Sequence, residues 1–226
     1  MSPLLESIEI ETAPKPEHAI IWLHGLGADG HDFAPIVPEL RLPPEQAVRF
    51  VFPHAPVQPV TINGGMAMRS WYDIYVADLV RHEDEQGLRQ SERAIQALIA
   101  RENARGIPSK QIILAGFSQG CAMTLQTGLR LAEPLAGMIC LSGYLPLAAK
   151  TEAERHTANT QTPIFMAHGT MDPVVPIARA QESRDLLQSW GYTVHWHEYA
   201  MQHSVNAQEV QAISQFIHNT FKSAQP

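Results

Sequence analysis

The chain of 226 residues carries little charge and has no concentration of positive charge. Asp, Glu, Lys and Arg together make up 17% of the residues, and 16 basic side chains stand against 23 acidic ones, for a formal net charge of -7. An acidic chain without a cluster of Lys and Arg argues against a nucleic-acid-binding protein. Because apolar residues reach 45%, the composition also excludes an intrinsically disordered chain.

Long apolar runs are missing as well. No segment approaches the roughly 20 consecutive apolar residues of a transmembrane helix, so we expect no integral membrane association. The first residues, MSPLLESIEIETAPKPEHA, contain acids and lack the basic-then-apolar order of a signal peptide. We therefore do not expect the first residues to be a signal peptide.

Cysteine is scarce, with Cys121 and Cys140 alone in the chain. Both lie in apolar stretches, where two buried thiols are favoured over a disulfide. Thiols that stay reduced are typical of a reducing compartment, so we expect a cytoplasmic location.

Compact apolar runs bounded by turn residues predict buried strands, and stretches of helical periodicity separate several of them. Runs without polar alternation are typical of a parallel sheet that is covered on both faces. Strands that alternate with helices predict a doubly wound α/β sheet, formed here by a single domain over residues 1–226. The predicted strands are 19–23, 48–52, 112–115, 137–141, 164–167 and 193–199, and the predicted helices are 88–104, 177–190 and 205–221.

A five-residue pattern, Gly116-Phe117-Ser118-Gln119-Gly120, follows the predicted strand 112–115 and precedes a helical stretch. G-x-S-x-G between a strand and a helix is typical of a nucleophile elbow, where glycines let strand and helix approach closely. A tight turn with an inert serine is the alternative. Ser118 is therefore a candidate nucleophile, and the N–H of Gln119 is a candidate oxyanion-hole donor.

A serine nucleophile needs a base and a carboxylate that orients it, and in this arrangement they follow in the order Ser, Asp, His. Asp172 comes after the predicted strand 164–167, and His203 comes after the predicted strand 193–199. Ligands of parallel α/β sheets bind at the carboxyl ends of the strands, so these loops share one rim with Ser118. His195 and His197 offer a metal pair without a third ligand, and we assign no metal.

The Gly-rich loop at 23–30, LHGLGADG, follows the first predicted strand. Its glycines allow backbone N–H groups to turn inward, which suits a second oxyanion donor. A phosphate-binding loop is disfavoured, because neither G-x-x-x-x-G-K-[ST] nor G-x-G-x-x-G is present.

Five ordered motifs, LHGLGADG, GGMAMRSWYDI, LAGFSQG, HGTMDPVVP and YAMQHSV, resemble the carboxylesterase and acyl-protein thioesterase family of α/β-hydrolases, and most closely its bacterial carboxylesterases. The resemblance covers roughly residues 19–221. It implies an α/β-hydrolase fold without a large lid domain, the triad Ser118, His203 and Asp172, and the N–H groups of Leu26 and Gln119 as the oxyanion hole. It implies no cofactor, and a homodimer is common in the family.

The resemblance also places residues 59–75 along the acyl groove, with Trp71 as the family's aromatic there; a core aromatic is the alternative for Trp71. The wider segment 54–87 could form an apolar groove, with Met66 and Met68 together with Val57, Val60 and Ile62 as its available side chains. The natural partner is then a small-molecule or lipid acyl ester.

Three residues depart from the family pattern: Cys121 replaces a usual Gly, and Gln202 and Ser204 flank the base in place of Gly and Glu. None of them is a triad atom, so they bear on substrate preference more than on activity. We expect a serine carboxylesterase for short- to medium-chain acyl groups. The alternatives are a long-chain acyl-protein thioesterase or lysophospholipase and, in another class, a non-catalytic binding protein.

Overall fold

The computed structural model describes residues 4–76 and 83–223. Its strands are β1 (Ser7–Glu11), β2 (His18–Leu23), β3 (Val48–Pro53), β4 (Val57–Val60), β5 (Met66–Arg69), β6 (Ile112–Phe117), β7 (Gly137–Leu141), β8 (Ile164–Gly169) and β9 (Val194–Tyr199). Its α-helices are α1 (Ile36–Glu39), α2 (Glu85–Ala104), α3 (Gln119–Gly128), α4 (Ala148–Glu154), α5 (Ile177–Ser189) and α6 (Ala207–Ser223).

Seven strands form the main sheet in the order β1-β3-β2-β6-β7-β8-β9. Strand β1 pairs antiparallel with β3, and every other neighbouring pair in this sheet is parallel. The predicted strands and helices are all present, with ends shifted by a few residues. The mostly parallel sheet confirms the predicted fold class.

Burial on both sheet faces explains the unbroken apolar runs. In β2, Ala19 and Ile21 belong to one core cluster and Ile20 and Trp22 to the other, because successive side chains of a strand point to opposite faces. Helices α2, α3 and α5 cover the first face, whereas α1 and α6 cover the second.

Sequence periodicity missed β1 and the separate antiparallel hairpin β4–β5. Strand β1 is a half-exposed edge strand in which Ile8 and Ile10 alternate with Glu, so it lacks the apolar run of a central strand. No helix among residues 4–76 and 83–223 is long and apolar enough to cross a membrane.

Parallel strands bring their carboxyl ends to one rim of the sheet. Strands β2, β6, β8 and β9 end at Leu23, Phe117, Gly169 and Tyr199, and the loop that follows each of them carries one part of the predicted site. The fold thus gathers segments that lie far apart in sequence.

Candidate active site

Ser118 lies on a strained turn between β6 and α3. Its φ of 55° and ψ of -116° fall in a region that side-chain-bearing residues rarely adopt. The two neighbouring glycines are required by close approach: a Cβ on Gly116 would lie 2.2 Å from the Gly120 carbonyl oxygen, and one on Gly120 would lie 2.2 Å from that of Leu23. The strand–turn–helix geometry expected of a nucleophile elbow is therefore present.

The loops after β8 and β9 bring Asp172 and His203 together. His203 Nδ1 lies 2.7 Å from Asp172 Oδ2. Since an ionised carboxylate only accepts, the Nδ1–H of His203 donates this bond and the neutral ring keeps a lone pair on Nε2. That is the tautomer that a general base needs.

Asp172 is itself held by several groups. Its Oδ1 accepts the backbone N–H groups of Val174 and Val175 at 2.8 and 2.9 Å. His168 Nε2 lies 3.3 Å from Oδ2 and donates to the Val175 carbonyl at 2.8 Å. Burial lowers the pKa of His168. This neutral imidazole therefore fixes the loop of the carboxylate rather than acting at the rim.

The His203 ring lies beside the elbow, with its centroid 4.7 Å from that of Phe117. The Ser118 side chain is partly exposed, and its hydroxyl has no hydrogen-bond partner within the described part of the chain. Catalytic hydrogen bonds often form only in the complex with substrate. The structure places the imidazole against Phe117, the residue directly before the serine, and no hydrogen bond joins His203 to Ser118 among the described residues.

The loop after β2 lies against the nucleophile. A Cβ on Gly25 would be 3.4 Å from the Ser118 Cβ, so the two backbones are neighbours. Within residues 4–76 and 83–223, neither the Leu26 N–H nor the Gln119 N–H donates a hydrogen bond to another residue. Both donors are thus available to a ligand at the elbow.

His24 holds this loop, a role that the sequence did not reveal. Its Nε2 accepts the Ala55 N–H at 3.0 Å, so Nδ1 carries the proton and donates to the Gly25 carbonyl at 2.7 Å. Burial lowers the pKa of His24, which keeps the ring neutral while both of its nitrogens form hydrogen bonds. Its position directly before the first loop glycine was the only signal in the sequence.

The Gln119 side chain joins the elbow helix to the segment after β5. Its Oε1 accepts the Trp71 N–H at 2.8 Å, and its Nε2 donates to the Tyr72 carbonyl at 2.7 Å and to Ser70 Oγ at 3.1 Å. The sequence singled out the backbone N–H of Gln119 but not this buried amide. The amide therefore fixes the position of the residue that directly follows Ser118.

The structure corrects the placement of Trp71 on the groove wall. This side chain is only 1% exposed, belongs to the core beneath α2 and α3, and donates its indole N–H to the His24 carbonyl at 2.9 Å. Trp71 is therefore the core aromatic of the alternative interpretation. Its size and its occupied N–H favour the interior over a wet rim.

The groove methionines differ in position. Met66 is 64% exposed on the β4–β5 hairpin. The Met68 sulfur would lie 3.8 Å from a Cβ on Gly27, so Met68 borders the loop that carries Leu26. Val57 and Ile62 are exposed whereas Val60 is buried. Residues 77–82, within the segment considered for the groove, lie outside the described residues.

The three departures from the family pattern occupy different surroundings. Cys121 is buried against Gly143, whereas Gln202 and Ser204 are exposed. Cys121 and Cys140 are both free thiols, and burial raises the pKa of Cys140.

Comparisons with known proteins find relatives that match most of the chain. The chain is 43% identical to acyl-protein thioesterase 1 of Neurospora crassa over 88% of this chain and 84% of that protein. It is 35% identical to acyl-protein thioesterase 1 of Yarrowia lipolytica over 97% and 99% of the two chains. The crystal structure of Arabidopsis thaliana SOBER1 matches with a TM-score of 0.84 at 30% identity, over 90% of this chain and 98% of that one.

The profile of the family described as Phospholipase/Carboxylesterase matches residues 5–221. That span contains the elbow and the loops of Asp172 and His203, and the resemblance noted from the motifs is confirmed. The chain belongs to the Phospholipase/Carboxylesterase family and is a serine hydrolase with the α/β-hydrolase fold.

Proposed function

We propose that this hydrolase cleaves short- to medium-chain carboxylic esters through Ser118, His203 and Asp172. The observation that carries the proposal is the 2.7 Å Asp172–His203 hydrogen bond beside a strained Ser118. It supplies an oriented base close to a partly exposed nucleophile.

In the first half-reaction, Ser118 Oγ bonds to the acyl carbon while its proton passes to His203 Nε2. Asp172 stabilises the imidazolium that forms, because its carboxylate already accepts the Nδ1–H. The tetrahedral intermediate then collapses: the bond to the leaving oxygen breaks, and His203 returns the proton to it. Water attacks the acyl-enzyme in the same way, and the carboxylic acid leaves.

The charge on the carbonyl oxygen needs donors that are already in place. The unengaged N–H groups of Leu26 and Gln119 are the proposed oxyanion hole, because Gln119 directly follows Ser118 and Gly25, the neighbour of Leu26, lies against it. One such donor is typically worth about 10²–10³ in rate. His24 and the Gln119 amide hold these two donors, which reduces the reorganisation that the reaction requires.

Exposed apolar side chains around the rim support an acyl substrate. Val57, Ile62 and Met66 are exposed on the β4–β5 hairpin segment, and Met171 and Val174 flank Asp172. An acyl chain that covers such side chains gains about 25 cal/mol for each Å² removed from water. The amount gained grows with the chain length that this surface accommodates.

A second candidate is acyl-protein thioesterase activity on long chains. Relatives that carry that name are 35–43% identical to this chain over most of its length. A thioester uses the same nucleophile and oxyanion donors and differs in its leaving group. The groove length and the surface that meets the acylated partner therefore distinguish the two candidates.

The deciding experiment is labelling by a fluorophosphonate probe together with an acyl-length series. Wild-type protein should label once at Ser118, and Ser118→Ala should stay folded, fail to label and lose turnover by about 10⁶. Near-normal hydrolysis by Ser118→Ala would overturn the assignment. A rate maximum between acetyl and octanoyl p-nitrophenyl esters supports the carboxylesterase, whereas a maximum at palmitoyl, with cleavage of an S-palmitoyl peptide, supports the thioesterase.

We also propose a cytoplasmic location. The two free thiols support it, because buried reduced cysteines are typical of a reducing compartment.

A further inference from the structure

Two imidazoles and a carboxylate meet at the end of the loop that carries Leu26. Asp29 and His31 lie in the segment after β2, and His54 directly follows β3. One ligand atom from each of these three side chains lies within 4.8 Å of the other two. We call this group the Asp29 cluster.

Contacts within the cluster already draw its members together. Asp29 Oδ1 accepts the His31 backbone N–H at 2.8 Å and lies 3.0 Å from His31 Nδ1. The rings of His31 and His54 are 5.7 Å apart, centroid to centroid. The bond from the His31 N–H lowers the pKa of Asp29, so this carboxylate is ionised at neutral pH.

Two imidazoles and one carboxylate are a donor set that suits Zn²⁺. Zn–ligand bonds of about 2.1 Å in tetrahedral geometry bring ligand atoms to about 3.4 Å from one another, so the cluster must contract slightly. The His31 side chain is 75% exposed and that of Asp29 is 44% exposed, which leaves both free to rotate. Burial, and to a smaller extent the negative charge of Asp29, raises the pKa of Asp32. When it is ionised, this neighbouring carboxylate adds negative potential at the cluster.

We propose that Asp29, His31 and His54 bind one Zn²⁺ ion and that its binding alters the loop carrying Leu26. With three protein ligands, a water completes the tetrahedron. Within residues 4–76 and 83–223, no other group of His, Cys, Asp and Glu offers three ligand atoms this close. His195 and His197, the pair noted from the sequence, therefore serve as a matched control.

The link to the loop runs through Gly30. Its N–H donates to His54 Nδ1 at 3.1 Å, which leaves the proton of the neutral ring on Nε2. If the metal binds Nδ1 of His54, it displaces the Gly30 N–H from that nitrogen. If the metal binds Nε2, the ring proton moves to Nδ1, and two N–H groups then face each other. Either way the segment from Gly25 to Gly30 must shift. We therefore expect Zn²⁺ binding to lower the rate of ester hydrolysis, and this expectation rests on the proposed function.

Direct binding tests the site independently of catalysis. Chelator-treated full-length protein is titrated with ZnCl₂ by calorimetry, and we expect one saturable site. His31→Ala and Asp29→Asn should each weaken binding at least about tenfold, whereas His195→Ala/His197→Ala should leave it unchanged. The exposed His31 is the preferred variant, because His54→Ala also removes the acceptor of the Gly30 N–H.

Absence of a saturable site, unchanged affinity in His31→Ala, or loss of binding in the His195/His197 control would overturn the site. The loop effect is measured as Zn²⁺ inhibition of ester hydrolysis, which should disappear in His31→Ala. Inhibition that persists in that variant would indicate Zn²⁺ at His203 and overturn the coupling. If the protein hydrolyses no ester, the calorimetry still decides the metal site.

Discussion

His203 Nδ1 lies 2.7 Å from Asp172 Oδ2, and two backbone N–H groups hold the other oxygen of the same carboxylate. The position of the aspartate is therefore held independently of its bond to the histidine. The carboxylate therefore sets both the tautomer and the orientation of the imidazole, because the two backbone N–H groups hold the carboxylate in place.

Asp172→Asn should lower kcat for ester hydrolysis by about 10⁴ while the protein stays folded. An amide that turns its NH₂ toward Nδ1 favours the tautomer with the proton on Nε2, so the lone pair no longer faces Ser118. The measurement is kcat with p-nitrophenyl butyrate, together with circular dichroism. Asp185→Asn is the matched control, because the Asp185 side chain is 63% exposed on α5. Loss of less than tenfold would contradict the role of Asp172.

Gln119→Ala should lower both stability and kcat/KM. The substitution leaves the buried Trp71 N–H without its acceptor, and such an unpaired group costs about 1–3 kcal/mol. The Tyr72 carbonyl loses one of its two donors and keeps the Ser70 hydroxyl. It also releases the residue whose N–H is the proposed oxyanion donor. Urea unfolding and ester kinetics measure the two effects, and Gln188→Ala, at an exposed position of α5, should change neither. A variant as stable and active as wild type would refute the structural role of this amide.

Glu209→Gln should flatten the pH dependence of the free energy of unfolding. Both carboxylate oxygens of Glu209 are buried without hydrogen-bond partners, and burial raises its pKa from 4.5 to about 8. The folded state therefore binds a proton more tightly than the unfolded state, so this contribution is present below pH 4.5 and is lost as the pH rises through about 8.

The variant should consequently gain stability relative to wild type between about pH 5 and pH 9, as urea unfolding at several pH values would reveal. Glu152→Gln, an exposed control, should show a constant difference from wild type. If the difference in the free energy of unfolding between Glu209→Gln and wild type does not change with pH, burial does not raise the pKa of Glu209.

Met66→Ser should reduce kcat/KM for octanoyl esters several-fold and leave acetyl esters almost unaffected. Met66 is 64% exposed on the hairpin, so it contributes little to folding and is available to an acyl chain. The ratio of the two specificity constants is the measurement, and the acetyl ester is the internal control. Equal losses on both esters would remove Met66 from the acyl surface.

The main sheet was predictable because its central strands are buried on both faces, and double burial leaves unbroken apolar runs such as residues 19–23. The edge strand β1 and the β4–β5 hairpin were not predictable, because half-exposed strands mix polar and apolar residues. Ser118 was recognisable from the two glycines that its turn requires. His24 and the Gln119 amide were not, because their partners, Ala55 and residues 70–72, are remote in the chain.

By itself the sequence determined the parallel sheet, the elbow and the chain order of serine, aspartate and histidine, since local apolar patterns and turn sterics carry that information. Only the tertiary structure decided that Trp71 belongs to the core, that His24 holds the loop carrying Leu26 and that Asp29, His31 and His54 meet. Those facts depend on distances between segments, and distances across a fold are set by the packing of the whole chain rather than by any stretch of it.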